Sequence, residues 1–444
     1  MKLPVLAAVL ALATPALAQP VAPVPPASPI PPPPPPAAAL PDAPPPAPVE
    51  PPLAPTTEPV GAPVAPPATA PPATPAVVVT TALGKGIQIA APDDSARIEI
   101  RARLQLRASQ FSEGDGDAPN VTEFQARRVR LQIKGHVFGG DWKYAVQLAF
   151  SNLDMEPDLR SPLRDANITY GKLRDLNVRV GQMKVPFGKQ RVVSSSAQQM
   201  ADRSIVVGEL NLDRDVGIQA LSEDLGGWDG KLAYNVGVFS GDGRNRLATA
   251  PGVLAVGRLV LRPFGGFEDT SEVDFDRTPT PRLALAIGAA HNNNTNRPRS
   301  TLANPYEFAR FDYTHATADL VLKYRGLYVS SELIYRKASK AFEEQDVDGD
   351  GMLEREYARN AWGYYAQAGY LFPSQVEVVG RYGEFRPRGE TDPALEERHH
   401  ELGGGLNYYW QKHDLKLQSD YFYLWKEDTE AARHQIRVQL QLYY

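Results

Sequence analysis

Residues 97–108 read Arg-Ile-Glu-Ile-Arg-Ala-Arg-Leu-Gln-Leu-Arg-Ala and alternate strictly between polar and apolar. Side chains along a strand point to opposite faces in turn. Ile98, Ile100, Ala102, Leu104, Leu106 and Ala108 therefore share one face, and Arg97, Glu99, Arg101, Arg103, Gln105 and Arg107 share the other. One face is apolar, the other strongly cationic. A strand of a soluble sandwich also alternates, but its polar side meets bulk water and carries mixed charge. Recurrence of the pattern, with short and long connections in turn, makes the chain a transmembrane barrel whose charged side lines a water-filled lumen.

The pattern does recur. A second strand is expected over Arg128 to Phe138, with Val129, Leu131, Ile133 and Val137 on one face and Arg128, Arg130, Gln132, Lys134 and His136 on the other. Gly139-Gly140, a tight-turn signal, joins it to a third that aligns Trp142, Tyr144, Val146, Leu148 and Phe150. Further alternating segments follow to the last residue and bring the expectation to about sixteen strands, an even number as bacterial barrels require. Arg325-Gly326, Pro373-Ser374 and Gln411-Lys412 are minimal turns, whereas Asn292 to Thr314, Ala338 to Asn360 and Pro387 to Arg398 are long and polar. The acidic stretch Phe264 to Thr280 falls on the short side and breaks the rule. Trp142, Tyr144, Trp362, Tyr364, Tyr370, Tyr408, Trp410, Tyr421 and Tyr423 fall on the apolar face, mostly near strand ends, where a membrane girdle places aromatics. The chain ends in an alternating segment on Tyr444, as a barrel whose last strand pairs with its first requires.

The fold class expected is thus all-β: a transmembrane antiparallel β-barrel over residues 96–444. Lys2, the apolar run Val5 to Leu12 and Ala16-Leu17-Ala18 have the three parts of a secretory signal peptide, residues 1–18. Residues 19–76 are mostly Pro, Ala and Val, cannot bury a core, and read as a disordered periplasmic linker; 77–95 is a bridging segment. There is no cysteine, and no run of about 20 apolar residues offers a helical span.

Several pieces resemble the phosphate-selective porin O and P family of outer-membrane channels. They are Phe124-Gln125-Ala126-Arg127-Arg128-Val129-Arg130-Leu131, Gly181-Gln182-Met183-Lys184-Val185-Pro186-Phe187-Gly188, Asp202-Arg203-Ser204, Asp213-Arg214-Asp215-Val216-Gly217-Ile218-Gln219 and Gly237-Val238-Phe239-Ser240-Gly241-Asp242-Gly243. The resemblance implies a trimeric sixteen-stranded anion channel in which one long loop narrows the pore and supplies serine and arginine contacts. Lys189-Gln190 departs from the family, which often has a hydrophobic residue and a glutamate there.

Strand parity turns Arg97, Arg101, Arg103, Arg107, Arg128, Arg130, Lys134, Arg179, Arg258, Arg262, Lys323, Arg325 and Arg381 inward, with Lys143, Lys231, Arg336, Lys416 and Arg437. Against these eighteen cations stand Glu99, Asp165, Asp215, Asp319, Glu332, Glu377 and Asp420. A narrow bore focuses such a field and concentrates anions; pairing of the charges across strands is the opposing reading. The long connection Phe187 to Asp213 carries Val192, Val193, Met200, Ile205, Val206, Val207 and Leu210, enough apolar surface to fold inward. Its contact set is Lys189, Arg191, Ser194, Ser195, Ser196 and Arg203. Hydroxyls and guanidinium groups replace an anion's hydration with directional donors.

Asp346, Asp348 and Asp350 with Gly351 resemble the opening of a calcium loop, but Tyr357 stands where the closing glutamate belongs. No other metal, cofactor or catalytic spacing is visible, and His136, His291, His315, His399 and His400 are scattered. The reading is a non-enzymatic outer-membrane porin for small inorganic anions, phosphate or pyrophosphate foremost, homotrimeric, in contact with membrane lipid and without a nucleic-acid partner. Its alternatives are a broad-specificity porin and an envelope tether, in which the proline-rich arm meets a cell-wall or periplasmic partner and the barrel is its anchor.

Overall fold

The computed structural model describes residues 77–113, 120–156, 158–246, 252–395, 397–427 and 432–444. The expected signal peptide, residues 1–18, and the expected linker, residues 19–76, lie outside the described residues. Two short strands come first, β1 (Val78–Ala82) and β2 (Gly86–Ala90), followed by β3 (Arg97–Glu113), β4 (Val121–Val137), β5 (Trp142–Ala149), β6 (Leu163–Tyr170), β7 (Asn177–Lys184) and β8 (Arg214–Ser222). The second half holds β9 (Leu232–Phe239), β10 (Leu254–Leu261), β11 (Arg282–Thr295), β12 (Phe311–Tyr324), β13 (Leu327–Ala338), β14 (Phe342–Gln345), β15 (Glu354–Tyr357), β16 (Ala361–Leu371), β17 (Val376–Pro387), β18 (His399–Gln411), β19 (Leu415–Lys426) and β20 (Ala432–Tyr443). One sheet contains eighteen strands and β14–β15 form a separate hairpin. Setting aside the β1–β2 hairpin, sixteen strands close into a ring, each antiparallel to the next, with β20 returning to β3.

The ring closes on the quoted stretch. Arg103 to Glu113 pair with β20, and the residues before them, Arg97 to Ile100, pair with β2 along the same edge. Tyr444 exchanges backbone hydrogen bonds with Ala102 at 2.7 and 2.9 Å. The bridging segment is therefore a hairpin that continues the wall below the last strand. Gly86, with φ of +66°, is required there, since a Cβ would stand 2.1 Å from the carbonyl oxygen of Ile100. Its alternating Ile87 and Ile89 carry the strand signal, masked by the short length of the run.

β4 begins at Val121, earlier than the alternation suggests, because Arg127 is a bulge: Arg128 faces Gln105 but Ala126 faces Leu106. The extra residue breaks the period of two that marks a strand in sequence. Parity otherwise holds on β3: Gln105 is fully buried inside while Leu106, its neighbour, is 44 % exposed on the outer face. Trp142, Tyr370, Trp410 and Tyr421 are exposed on that outer face too. Among the described residues no helix is long and apolar enough to cross a membrane.

The interior is not uniformly polar. β10 and β11 are largely apolar on their inner faces too, Arg258 and Asn292 apart, and inward residues Phe239, Val256, Ala290, Ile334 and Tyr365 pack on Val206, Val207 and Leu210 of the connection between β7 and β8. That connection, hereafter L3, contains the helical turns α1 (Lys189–Val192) and α2 (Ile205–Leu210) and lies against the inner faces of β13, β16 and β17.

An outward arginine near the middle of a strand is expensive in lipid. Leu106→Arg is expected to lower barrel stability by about 2–4 kcal/mol, read as a shifted denaturant midpoint in lipid vesicles, whereas Leu106→Phe should leave it nearly unchanged.

Candidate functional site

L3 has little secondary structure of its own, so its backbone groups need partners elsewhere. The wall supplies them. Glu332 accepts the N–H groups of Lys189 and Gln190 at 2.9 and 3.0 Å, Asp420 accepts that of Ala201 at 2.9 Å, and Lys416 Nζ donates to the Gln198 carbonyl at 2.7 Å. Arg381 donates to the Asp202 carbonyl at 2.9 Å and Arg258 to that of Phe187 at 2.6 Å. Ser204 caps α2, accepting the Val206 N–H at 3.2 Å. Glu209, in α2, pairs with Arg336 and Arg359 at 2.6 and 2.9 Å.

At the other side of the loop Asp202 meets three guanidinium groups from β3, β4 and β20: Arg107, Arg128 at 3.3 Å and Arg437 at 3.2 Å. These strands flank the seam where the ring closes. Burial pushes the Asp202 carboxyl up, but Arg107, Arg437 and Arg128 outweigh it and hold the group well below the usual carboxylate range. Asp213, also penalised by burial, is held low by Arg191 and Arg214.

Cavities inside the barrel lie on both sides of L3. The cavity at the long-loop end has a volume of about 1000 Å³. Eleven lysines and arginines line it, including Arg128, Arg130, Arg164, Lys184, Arg191, Arg203 and Arg214, against seven acids. The cavity at the short-turn end, about 660 Å³, is bordered by Arg101, Lys134, Lys323 and Lys412. Gln132 and Ser194 border both. A third recess of about 630 Å³ takes Lys134 and Arg179, whose guanidinium donates to Thr169 Oγ1 at 2.9 Å.

Most of the cations carry a carboxylate partner. Arg130 and Arg164 share Asp154, Arg214 binds Asp165 at 2.8 Å and Asp213 at 3.3 Å, and Arg191 binds Asp213. Three that border the Ser194 segment do not. Arg103 reaches the Ser194 hydroxyl at 3.4 Å, and its Nε and Nη2 meet no protein acceptor. Lys184 Nζ donates to the Val192 carbonyl at 2.7 Å, and Arg203 to the carbonyls of Gln190 and Val193 at 2.8 and 2.9 Å. Arg130 also donates to Ser195 Oγ at 3.3 Å, and the Ser194 and Ser196 hydroxyls are 2.8 Å apart.

The structure sorts the expected inward cations into groups. Arg101, Arg128, Arg130, Lys134, Arg179 and Lys323 border cavities, with Arg103 beside Ser194. Arg107, Arg258 and Arg381 are buried beneath L3, and Arg262 pairs with Asp269 at 3.2 Å. Lys189 is buried as well, paired with Asp269 at 3.3 Å. Arg97 sits at the rim beside Asp94 at 2.9 Å. Arg325 is the exposed first residue of the β12–β13 turn, at φ +49°, with its guanidinium over the Tyr324 ring; parity cannot be carried past a strand's end. Lys184, Arg214, Asp154 and Asp202 escaped the parity reading because they lie in loops or beyond the break in alternation at Gly181, which takes φ +123°, and Arg164 escaped it because it is the bulged residue of β6, with Asp165 facing Gln147 and Leu163 facing Leu148. Lys184 was nonetheless legible as part of the Gly-Gln-x-Lys-x-Pro-Phe-Gly piece. Asp346, Asp348 and Asp350 form an exposed group between β14 and β15 with carboxylate oxygens within 4.8 Å of one another. Asp346 accepts the backbone N–H groups of Gly349 and Gly351.

The model of the family described as phosphate-selective porin O and P matches residues 98–444. An uncharacterized protein of Aquifex aeolicus strain VF5 is 22% identical over 394 residues, 77% of this chain and 86% of that one. Among solved structures, the anion-selective porin from Comamonas acidovorans is 14% identical, with a TM-score of 0.52 over 79% of this chain and all of that one. The outer membrane channel DcaP of Acinetobacter baumannii is 14% identical, with a TM-score of 0.50 over 79% and 98%. At these identities the solved structures speak to the fold.

A depressed carboxylate contributes stability above its unfolded pKa, near 4, and loses it only as the pH falls through the lower folded value. The attachment of L3 through Asp202 should therefore survive acidification to below about pH 4. Asp202→Ala is expected to give an enlarged, noisier single-channel conductance at pH 7, and acidifying the parent channel to about pH 4 should not reproduce the change that this substitution makes.

Proposed function

We propose that this chain, which belongs to the phosphate-selective porin O and P family and forms an outer-membrane β-barrel, acts as a channel and not as an enzyme, passing small inorganic anions by passive diffusion, phosphate or pyrophosphate foremost, through a bore constricted by L3. The long-loop cavity is the external vestibule and the short-turn cavity opens to the periplasm. Ser194 and Gln132 border both, which supports putting the constriction between them. Residues 1–18 direct export, 19–76 lie in the periplasm, and the working unit is the homotrimer that the family resemblance implies.

The observation that carries this reading is Arg103. Its guanidinium is buried, presents two nitrogen donors to no protein acceptor, and stands beside the Ser194 hydroxyl. An unpaired cation in a confined bore attracts anions, and a guanidinium beside hydroxyls suits a tetrahedral oxyanion with several acceptors. Lys184 and Arg203, which have only carbonyl partners, add two more uncompensated charges within the same segment. The many paired arginines contribute little net field, so beside the Ser194 segment the anion preference rests on these three, with Arg101, Arg179 and Lys323, which also bind only neutral oxygens, adding to it towards the short-turn end.

Reversal potential across a potassium chloride gradient is expected to show anion preference in the intact channel. Arg103→Ala should reduce the anion-to-cation permeability ratio about three- to tenfold. Millimolar phosphate should block the chloride current; a current insensitive to phosphate would make the channel a broad-specificity porin, and a cation preference would overturn the proposal.

A further inference from the structure

The acidic stretch between β10 and β11, residues 262–281, enters the barrel from the short-turn end and reaches L3. Its Asp269 lies between Arg262 of the wall and Lys189 of L3, at 3.2 and 3.3 Å. Glu272, 1 % exposed, makes the central contact. Its backbone N–H donates to the Ala197 carbonyl at 2.9 Å. Its carboxylate accepts from the Gln199 N–H at 3.0 Å, from Gln190 Nε2 at 3.4 Å and from Gln367 Nε2 of β16 at 3.1 Å. Behind it, Val273 packs with Leu371 and Tyr409 of the wall and with Phe275. Asp274 accepts the Gly326 N–H at 2.7 Å, and Arg325 donates its N–H to the Thr278 carbonyl at 2.9 Å, so the stretch is also tied down where it enters.

Two inward-folded segments from opposite ends of the barrel thus meet at one carboxylate. Ala197 follows directly on Ser194–Ser196, and Glu272 binds the backbone on both sides of Gln198. The insertion's exposed Thr270, with Ser271, Asp274 and Asp276, borders the short-turn cavity that shares Ser194 and Gln132 with the vestibule. Inner faces of β16 to β19 are covered by the two segments, as the near-complete burial of Gln367, Glu377, Asn407, Lys416 and Gln418 shows.

We propose that residues 262–281 form a second constriction element, lining the periplasmic exit, and that Glu272 is a positioning residue that sets the Ser194–Ser196 segment against Arg103 and Arg130. The inference rests on the reading of the chain as an anion channel narrowed by L3. Glu272 touches no permeating ion; it acts through the loop it holds. Loss of its carboxylate frees three donors, two of L3 and one of the wall, and the Ser194–Ser196 hydroxyls lose their fixed distance from Arg103.

Two variants test this in the full-length channel reconstituted in planar bilayers. Glu272→Ala is expected to raise single-channel conductance about twofold and to lower the anion-to-cation permeability ratio several-fold, with the barrel still heat-modifiable on gels and Glu272→Gln intermediate. A folded Glu272→Ala channel with the parent's permeability ratio would overturn the positioning role. Because the chain has no cysteine, Thr270→Cys gives a single thiol; a negatively charged methanethiosulfonate added from the periplasmic side is expected to reduce chloride current, and an unchanged current would overturn the second constriction. The cysteine variant decides the lining role even where Glu272→Ala does not fold. An intact channel that prefers cations would sink the anion-channel reading itself, whereas an anion-selective channel indifferent to both changes would sink only this inference.

Discussion

Everything in this structure depends on closing the ring. In a bilayer an unpaired backbone N–H or C=O costs several kcal/mol, so a sheet that spans it must have no free edge. β20 meets β3 over eleven residue pairs, and Tyr444 adds a further exchange with Ala102. Once the ring is closed, strand parity decides which side chains meet lipid and which face the interior, and all later choices are made inside a cylinder of fixed register. The seam is also where Asp202 binds, through arginines of β3, β4 and β20. The strands on either side of the closure thus grip L3 at Asp202, so closing the ring completes that anchor of the loop.

A closed sixteen-stranded ring encloses more space than side chains alone can fill. The excess is taken up by L3 and by the insertion 262–281, and both must satisfy backbone groups that no sheet or long helix provides. The wall answers with side chains: Glu332, Asp420, Lys416 and Arg381 act as surrogate backbone partners. This explains why a lumen rich in charge has so few charges left to act on an ion. Burying an arginine is tolerable when a carboxylate or several carbonyls surround it, and most of the interior arginines meet that condition. The residual field belongs to the exceptions, foremost those beside Ser194, with Arg101, Arg179 and Lys323 towards the short turns.

Much of this could be read in the chain. The fold was legible because alternation and connection length are independent signals that agree, and the seam was legible in the terminal Gln435 to Tyr444 run. Boundaries failed where a local feature breaks the period of two: the bulge at Arg127, the left-handed Gly181, and loop ends where strands outlast their alternation, as Asn292 to Thr295 do. The site was legible only to parity, which says inward but not toward what. Arg258, Arg381 and Lys416 face inward like Arg101 and Lys134, yet the first three hold L3 and the others border water-filled space. The distinguishing signal was present in the neighbours: β10 and β11 are largely apolar on their inner faces around Arg258, and an inward apolar face in a channel must be covered by something.

That signal locates the path. L3 docks on the apolar inner faces around β9 to β11, β13 and β16, and the insertion follows it along β16 to β19. Space for water and ions is left along the opposite wall, β3 to β8, which contributes Arg101, Arg128, Arg130, Gln132, Lys134, Lys184 and Arg214 to the cavities. This is the same wall that carries the densest cationic alternation, beginning at Arg97. A sheet with one charged arc and one apolar arc on its inner surface therefore encodes both the seat of the plug and the route around it. The apolar arc draws L3 by burial, at roughly 1.5–3 kcal/mol for each large side chain such as Leu210 or Phe187, and the charged arc stays open because covering it would strand cations without partners. Asp202 and Asp213 mark the border between the two, where L3 lends carboxylates to the charged wall and comes no further.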